Sequence, residues 1–372
     1  MSATTAHSHS VPINIVSGTR STDPADFPVI SAQQEMWRFT PVAKLEPLEA
    51  AEFSEAQVKV AAPADVAVRT TNAPGRYVPT DRIAATTWSR TPSVTEVSIS
   101  PEAVLNEPVK IDVALNGAVA QFVRVVIAAG MHSQAAVELT FTGQGSGGAI
   151  IELQADAGAH VTFTHLTEMS SKSTLVVHVP AFLGRDAVLR SHTLTLGGGL
   201  VRIVPTVHYE GPGADAQLSG AFIAGPGHHV EHRTLADHTV ANCRSHVAYK
   251  GVLSGTREEP ARSVWIGDVL IHSAATGTDT YELNRNLVMN EFARADSVPN
   301  LEIETGDIAG AGHASATGRL DDEQVFYLMS RGVDRTTATS LIVAGFFDDL
   351  LAVVPSEECA NRVRERLAQV LA

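Results

Sequence analysis

The 372-residue chain is 44% hydrophobic and 18% charged, and its formal net charge is −14 at pH 7. This balance predicts a folded chain with at least one large core and excludes a disordered one. The acidic charge disfavours general binding to nucleic acid or to an anionic membrane, because both present negative phosphates. No apolar run reaches the roughly 18 residues of a membrane span, and no secretory pattern is present, so we expect a cytoplasmic protein.

The only two cysteines are Cys243 and Cys359, which lie far apart in the sequence. Two cysteines cannot form a disulfide framework, and they cannot supply the four thiolates of a zinc or cluster site. If the chain handles a metal, some of the ligands must therefore be histidine, carboxylate or the thiolates of another chain.

Residues 1–85 form the first of three regions, in which proline, alanine and glutamate are mixed with polar residues. We expect the first thirty or so residues to be poorly ordered. The segment 31–45 predicts a short helix, with Ser31 as its N-cap, Gln34 three residues later and Pro41 as its stop.

Residues 86–317 are predicted to form the core, because short β-branched segments follow one another from about residue 93 to residue 310. Glycine, asparagine, aspartate or proline interrupts them about every 10–13 residues. This pattern indicates a mainly β fold and leaves a sandwich, a barrel and a β-helical solenoid open. The number of strands and the abundance of small residues favour the solenoid.

Residues 318–372 change to a helical period and predict three helices. The first follows Asp321 and Asp322 and ends before Gly332, the second covers 334–352, and the third covers 357–371. In the second helix the expected apolar stripe contains Ala338, Leu341, Ile342, Gly345, Phe346 and Leu350. We expect the three helices to cap the solenoid and to offer a docking surface.

Residues 227–246 contain five of the fifteen histidines, together with Cys243. In a strand, His232 and His238 share a face but lie roughly 20 Å apart, too far to bind one ion. Only a turn near residues 240–242 would bring His238 to Cys243. We therefore interpret this stretch as part of the fold, and a metal site or a supporting role in a shared site stay as alternatives.

Nucleotide and hydrolase motifs are absent from the sequence. None of the five lysines follows a glycine, so the chain has no P-loop, and it has no GxSxG elbow. A β-solenoid with clustered acids would also suit an intracellular polysaccharide-active enzyme, which is one alternative function.

The most informative segment is 249–333, and a weaker likeness extends over most of the chain. Its motifs are Lys250–Gly251–Val252, Val264–Trp265–Ile266–Gly267, Thr278–Asp279, Asn284-x-Asn286–Leu287, Pro299–Asn300–Leu301–Glu302–Ile303, Gly312–His313–Ala314 and Gly318–Arg319–Leu320–Asp321–Asp322–Glu323–Gln324. These motifs resemble those of the SufB/SufD family of iron–sulfur cluster assembly proteins. The SufD branch fits better, because SufB-type chains are richer in cysteine. A SufB-type chain that builds the cluster itself is the second alternative.

The resemblance implies a right-handed parallel β-helix core with helical regions at both ends. It further implies a non-catalytic scaffold subunit that pairs with a SufB-like paralogue along the β-helix and holds a SufC-like ABC ATPase on its C-terminal helices. Candidate contact residues for that ATPase are Phe326, Leu341, Phe346 and Leu350. A transient iron–sulfur cluster shared with the SufB-like partner and a reduced flavin in the complex are also implied. The sequence leaves open whether the chain forms a homodimer when its paralogue is missing.

His313 is the candidate ligand that the resemblance implies, for the cluster or for iron at the SufB-like interface. The family loop commonly has a cysteine two residues before this histidine, whereas here that position is Ala311. An imidazole can bind iron beside thiolates of another chain. A structural role for His313, closing the last coil, is the alternative.

Overall fold

A computed structural model describes residues 18–371, and it contains nineteen strands and five α-helices within that range. The strands are β1 (Phe53–Glu55), β2 (Val58–Ala61), β3 (Val66–Thr71), β4 (Val94–Ile99), β5 (Val109–Leu115), β6 (Ala120–Ala129), β7 (Gln134–Gly143), β8 (Gly147–Ala155), β9 (His160–Met169), β10 (Thr174–Leu183), β11 (Val188–Thr195), β12 (Leu200–Tyr209), β13 (Asp215–Ala224), β14 (His229–His238), β15 (Arg244–Leu253), β16 (Ala261–Ile271), β17 (Asp279–Val288), β18 (Ala293–Ile303) and β19 (Gly310–Arg319). The helices are α1 (Glu46–Glu49), α2 (Arg82–Arg90), α3 (Asp322–Ser330), α4 (Arg335–Leu351) and α5 (Glu357–Leu371).

The strands form two sheets that face each other across one continuous core. The first sheet runs in the order β18-β16-β14-β12-β10-β8-β6-β4-β3, with β1 beside β6, and the second runs β19-β17-β15-β13-β11-β9-β7-β5-β2. From β4 and β5 onward every pairing is parallel, and Thr174 pairs with Leu200 one coil later. Successive coils therefore stack directly on one another. The predicted β-solenoid is confirmed.

The inward face of each strand carries the apolar residues that fill the solenoid. In β5 the buried residues Val109, Ile111, Val113 and Leu115 alternate with exposed ones, as the period of two requires. Asn242 adopts a positive φ of 60° in the turn between β14 and β15, a backbone conformation that asparagine tolerates better than most residues.

The N-terminal region differs from the prediction. Two 3₁₀ turns, Glu35–Trp37 and Val42–Leu45, replace the helix expected over 31–45, although Ser31 and Gln34 do make the expected local hydrogen bonds. A continuous helix is prevented because Trp37 and Thr40 are drawn onto the outer face of the first sheet, where both are buried. The poor order expected for the first thirty residues does not extend to 18–30, which hold a 3₁₀ turn over Pro24–Asp26, while residues 1–17 lie outside the described part of the chain.

The C-terminal helices α4 and α5 lie against the side of the solenoid and do not cap its end, so the cap prediction was wrong. Their buried residues pack on outward-facing apolar residues of consecutive strands in the second sheet, Leu166, Leu194, Ile223 and Val252. In α4 the buried stripe is also displaced from the predicted one. Val343 and Phe347 are fully buried, whereas more than half of Leu341 is exposed.

The two ends of the solenoid therefore differ. At the first end, the antiparallel strands β2 and β3 cover β5 and β4. At the other end, β18 and β19 are the outermost strands, and each pairs on one side only within residues 18–371. Their residues are mostly half-buried or exposed. None of the helices in the described range is long and apolar enough to cross a membrane.

Candidate functional site at the open end of the solenoid

The interior of the solenoid changes from apolar to polar at its open end. On β17, the inward residues Thr280, Glu282, Asn284 and Asn286 are all buried. They continue the inward rows of β15, in which the register places Val247 beside Glu282 and Tyr249 beside Asn284. On β19 the same rows continue through Ala311, His313, Ser315 and Thr317. Polar groups on both strands thus belong to the same inward-facing rows.

A network of amides and hydroxyls holds one part of this interior in place. The Asn286 amide donates to the Asn284 side-chain oxygen at 2.7 Å, and Ser297 of β18 donates to the same oxygen at 2.6 Å. The Asn284 amide in turn donates to the backbone carbonyl of Tyr249 at 3.3 Å. These bonds connect β17 to its neighbour β15 and to β18 of the other sheet.

Glu282 lies in the same interior, but its side chain makes no hydrogen bond within residues 18–371. Its carboxylate is 1% exposed, and neither oxygen has a hydrogen-bond partner among the described residues. Burial raises the pKa of Glu282 to about 8, and the nearby Asp268 carboxylate adds to the effect. A buried carboxylate without partners is costly, so this group is expected to take up a proton or a cation.

His313 lies on the outermost strand, directly beside Glu282 in the register, and its side chain is exposed. Gly312 and Ala314 flank it, so no bulky neighbour on its own strand shields the ring. Within residues 18–371, no three histidine, cysteine, aspartate or glutamate side chains converge tightly enough to hold a metal ion. A metal at His313 would therefore need ligands from outside this chain.

The histidine-rich stretch is part of the fold, as interpreted. His229 to His238 form β14, which is buried along its whole length. His238 stacks on Tyr209 with 4.4 Å between ring centroids and contacts the Ser245 hydroxyl at 2.8 Å, and burial lowers its pKa to about 4. His238 and His232 are both fully buried, and no metal-binding group forms in this stretch.

Neither cysteine is placed for reaction chemistry. Cys243 is fully buried and its thiol donates to the Gly211 carbonyl at 3.5 Å, while Cys359 is buried between α5 and the sheet. Burial raises the pKa of both thiols, which keeps them protonated and weakly nucleophilic.

The candidate contact residues on the C-terminal helices fall into two groups. Phe326 and Leu341 are exposed, by 72% and 53%, and Leu341 borders a groove of about 260 Å³ between α4 and α5. Phe346 is half-buried and Leu350 is buried, and both face the solenoid. Phe326 and Leu341 are therefore open to direct contact with another protein, while Phe346 and Leu350 pack toward the solenoid.

Lys250 fastens α4 to the solenoid. Its ammonium donates to the Phe346 carbonyl at 2.9 Å and to the Asp349 carboxylate at 2.5 Å, although the Lys250 side chain itself is only 9% exposed. Its strand neighbour Tyr249 accepts the hydrogen bond from Asn284. A short chain of contacts therefore runs from α4 to the polar interior at the open end.

Sequence reasoning missed Glu282. In the segment YELNRNLV, the apolar residues occupy the positions of Tyr281, Leu283 and Leu287, which would predict that face to be buried. The structure has the opposite arrangement, because Tyr281 is 41% exposed and Glu282 faces inward. The available signal was alignment with the preceding coil, since Val247 and Tyr249 fix the inward rows that Glu282 and Asn284 continue.

Comparison with known proteins agrees with this arrangement. The model of the family described as "SUF system FeS cluster assembly, SufBD core domain" matches residues 113–346. An iron–sulfur cluster assembly SufBD family protein of Mycobacterium leprae is 41% identical over 354 residues, covering 92% of this chain and 89% of the relative. A relative of the same description in Mycobacterium tuberculosis is also 41% identical, over 365 residues, covering 93% of this chain and 89% of that protein. The SufD protein of Escherichia coli is 29% identical over 224 residues, covering 60% of this chain and 52% of that protein. The chain belongs to the SufBD family of iron–sulfur cluster assembly proteins.

Proposed function

We propose that this chain is a non-catalytic, SufD-like scaffold subunit of a complex that assembles iron–sulfur clusters. In this proposal it pairs with a SufB-like paralogue through the open end of the solenoid and carries a SufC-like ABC ATPase on its C-terminal helices. The cytoplasmic location expected from the sequence belongs to the same proposal. The observation that carries it is the final coil, whose interior is polar and whose two outermost strands have no partner on one side among residues 18–371.

The open end supports the pairing because an edge strand presents a row of free backbone donors and acceptors. Two such edges, β18 and β19, lie side by side at one end of the molecule. A second solenoid could add its own strands to both sheets at once, as in other cases of strand addition. His313 would then lie at the junction, where thiolates of the partner could complete a site for the transient cluster.

The C-terminal helices support the ATPase contact because they expose apolar residues beside a groove. Phe326 and Leu341 are the proposed contacts, and Lys250 would transmit movement of α4 to the solenoid. ATP-driven association of two ATPase copies would then pull on the helices and open the interface at His313.

One cleft of the chain suits a reduced flavin poorly. A cleft of about 570 Å³ beside β2 and β5 is lined by polar, charged and small residues, with no aromatic ring to stack on an isoalloxazine. The proposal therefore places no flavin in this cleft.

The test is the mass of the native complex, purified without oxygen through a tag on this chain. We expect an assembly of this chain, a SufB-like paralogue and two ATPase copies. The variant His313→Ala should assemble equally well but accumulate no cluster, because it removes only the imidazole. A lone chain, a homodimer or unrelated partners would contradict the scaffold proposal, and full cluster build-up in the variant would remove His313 from it.

A further inference from the structure

We propose that Glu282 is a second iron-binding group, and that with His313 it forms half of a ferrous-ion site inside the open end of the solenoid. This inference rests on the proposed function and deepens it, because it names the ion that the open end receives. The remaining ligands would be water in the free chain and partner groups in the complex.

The register places the two groups together. Glu282 and His313 are direct partners in the parallel pairing of β17 and β19, and both belong to rows that face into the solenoid. Adjacent strands lie roughly 4.8 Å apart, so a carboxylate and an imidazole on the same face can bind one ion between them. His313 is exposed at the end of the solenoid, whereas Glu282 lies one strand deeper. An ion would therefore reach His313 first.

The Glu282 carboxyl group packs closely against Gly267 and has no polar partner within residues 18–371. A Cβ at Gly267 would come within 2.6 Å of the Glu282 Oε1 atom and 2.3 Å of the Trp265 ring, so only glycine leaves space there. Neither Glu282 oxygen has a partner within the described residues, although hydroxyl and amide groups lie on neighbouring rows. Nearby buried carboxylates, by contrast, are satisfied, since Asp268 accepts from Arg233 at 3.2 Å and from Asn300 at 2.7 Å.

The chemistry of the pair suits ferrous iron. A neutral imidazole and a carboxylate oxygen are ligands of the kind that non-haem iron(II) sites use, and such sites leave positions open for further ligands. Two protein ligands bind weakly enough to release the ion again, which is the behaviour required of a group that hands iron to a cluster. Four protein ligands would hold the ion as a permanent structural centre.

The experiment is an anaerobic titration of the purified full chain with ferrous ion alone, followed by equilibrium dialysis. We expect wild type to bind one ion per chain. Both Glu282→Gln and His313→Ala should bind it at least about 10- to 100-fold more weakly, which is the loss that removing even a group that supports a metal ligand causes. The matched control is Glu302→Gln, which makes the same chemical change on the outward face of β18, and it should bind iron as wild type does.

Iron binding by Glu282→Gln as tight as that of wild type would overturn the inference, as would a wild-type chain that binds no iron. Melting by circular dichroism checks the fold of each variant. Glu282→Gln removes an unpaired carboxylate and should not lower the melting temperature. If it does, Glu282→Asp keeps a carboxyl group, shortens the side chain by one methylene and should weaken iron binding. These outcomes are separate from the complex mass, which tests the scaffold proposal alone.

Discussion

At the scale of single residues, a buried ion pair within the solenoid also binds the N-terminal segment, through Thr40 and Trp37. Arg202 and Glu231 lie on neighbouring strands of the first sheet, are each about 1% exposed and contact each other directly. Thr40 donates to Glu231 at 2.7 Å, and the Trp37 ring covers the guanidinium with 4.4 Å to its centroid. Removing one member of such a pair leaves the other charge buried without compensation.

The variant Glu231→Gln should therefore destabilise the protein. The amide keeps the shape of the side chain but leaves the Arg202 charge unpaired, so we expect the free energy of unfolding to fall by about 3–5 kcal/mol. Urea unfolding followed by circular dichroism measures this change.

Glu96→Gln is the control for that loss. Glu96 pairs with Arg69 at 2.7 Å, but the Arg69 side chain is 67% exposed. Water and salt screen such a pair, so its removal should change the free energy of unfolding by about 1 kcal/mol or less. Equal losses in the two variants would show that burial does not decide the strength of these pairs.

How well single residues can be predicted from the sequence depends on what fixes them. His313 stands out because it lies in a recognisable motif among glycine and alanine. Glu282 does not, because a lone acid in a strand normally faces water, and its inward direction follows from the register with Val247 one coil earlier. That register depends on turn lengths over the whole solenoid, which local periodicity does not reveal.

At the scale of elements, α4 is held to the second sheet by apolar packing and also by charged hydrogen bonds. The apolar residues of α4 pack on β13 and β15, and Lys250 adds two charged hydrogen bonds from a side chain that is almost buried. A hydrogen bond to a charged group contributes about 1.5–3 kcal/mol, so the bond to the Phe346 carbonyl carries most of this stabilisation. The Asp349 side chain is 73% exposed, and solvent screening weakens its bond to Lys250.

The variant Lys250→Met should loosen α4 without unfolding the solenoid. Methionine keeps the apolar part of the side chain and loses both hydrogen bonds, so amides of α4 should exchange with deuterium about tenfold faster or more, while those of β8 and β10 stay protected. Hydrogen exchange with mass spectrometry measures both regions in one experiment.

Lys110→Met is the matched control. Lys110 joins Glu358 of α5 at 3.3 Å, but the lysine and glutamate side chains are 49% and 68% exposed. Exchange in α5 should therefore change little. If Lys250→Met also left exchange in α4 unchanged, the apolar contacts alone would hold the helix, and Lys250 could not transmit its movement.

The elements themselves were largely predictable, but their placement was not. The helices at the C-terminus follow from N-caps such as Asp321 and Asp334 and from the apolar period. Their position on the flank depends on Leu166, Leu194, Ile223 and Val252, which face outward on four different coils. Within any one strand these residues look like ordinary core residues, and only the stacked coils show that they form a stripe.

At the scale of the whole molecule, the stability of the fold should depend strongly on pH and should fall in acid. Burial lowers the pKa of five histidines: to about 3 for His165 and His232, and to about 4 for His192, His228 and His238. The unfolded chain binds protons at these sites near pH 6.5, and the folded chain does so only well below that pH. Between pH 6.5 and 4 the unfolded state therefore binds more protons.

We expect the free energy of unfolding to fall steadily as the pH falls from 6.5 toward 4. Each histidine contributes up to about 1.4 kcal/mol per pH unit in that window. Glu282 acts in the opposite direction, since its raised pKa of about 8 keeps one more proton on the folded state. Urea unfolding at pH 7.5, 6 and 5 measures the slope, and His165→Gln should reduce it. Constant stability over this range would contradict neutral burial of the histidines.

The edges of β18 and β19, which have no partner strand on one side within residues 18–371, also affect how much of this chain a cell can make. An uncovered edge is a template for pairing with other chains, so a copy made in excess of the proposed SufB-like partner would associate with itself or with other unfinished chains. We therefore expect cells to match the synthesis of the two chains and to degrade unpaired copies quickly. The geometry of the last coil would then limit how far the abundance of one subunit can vary without the other.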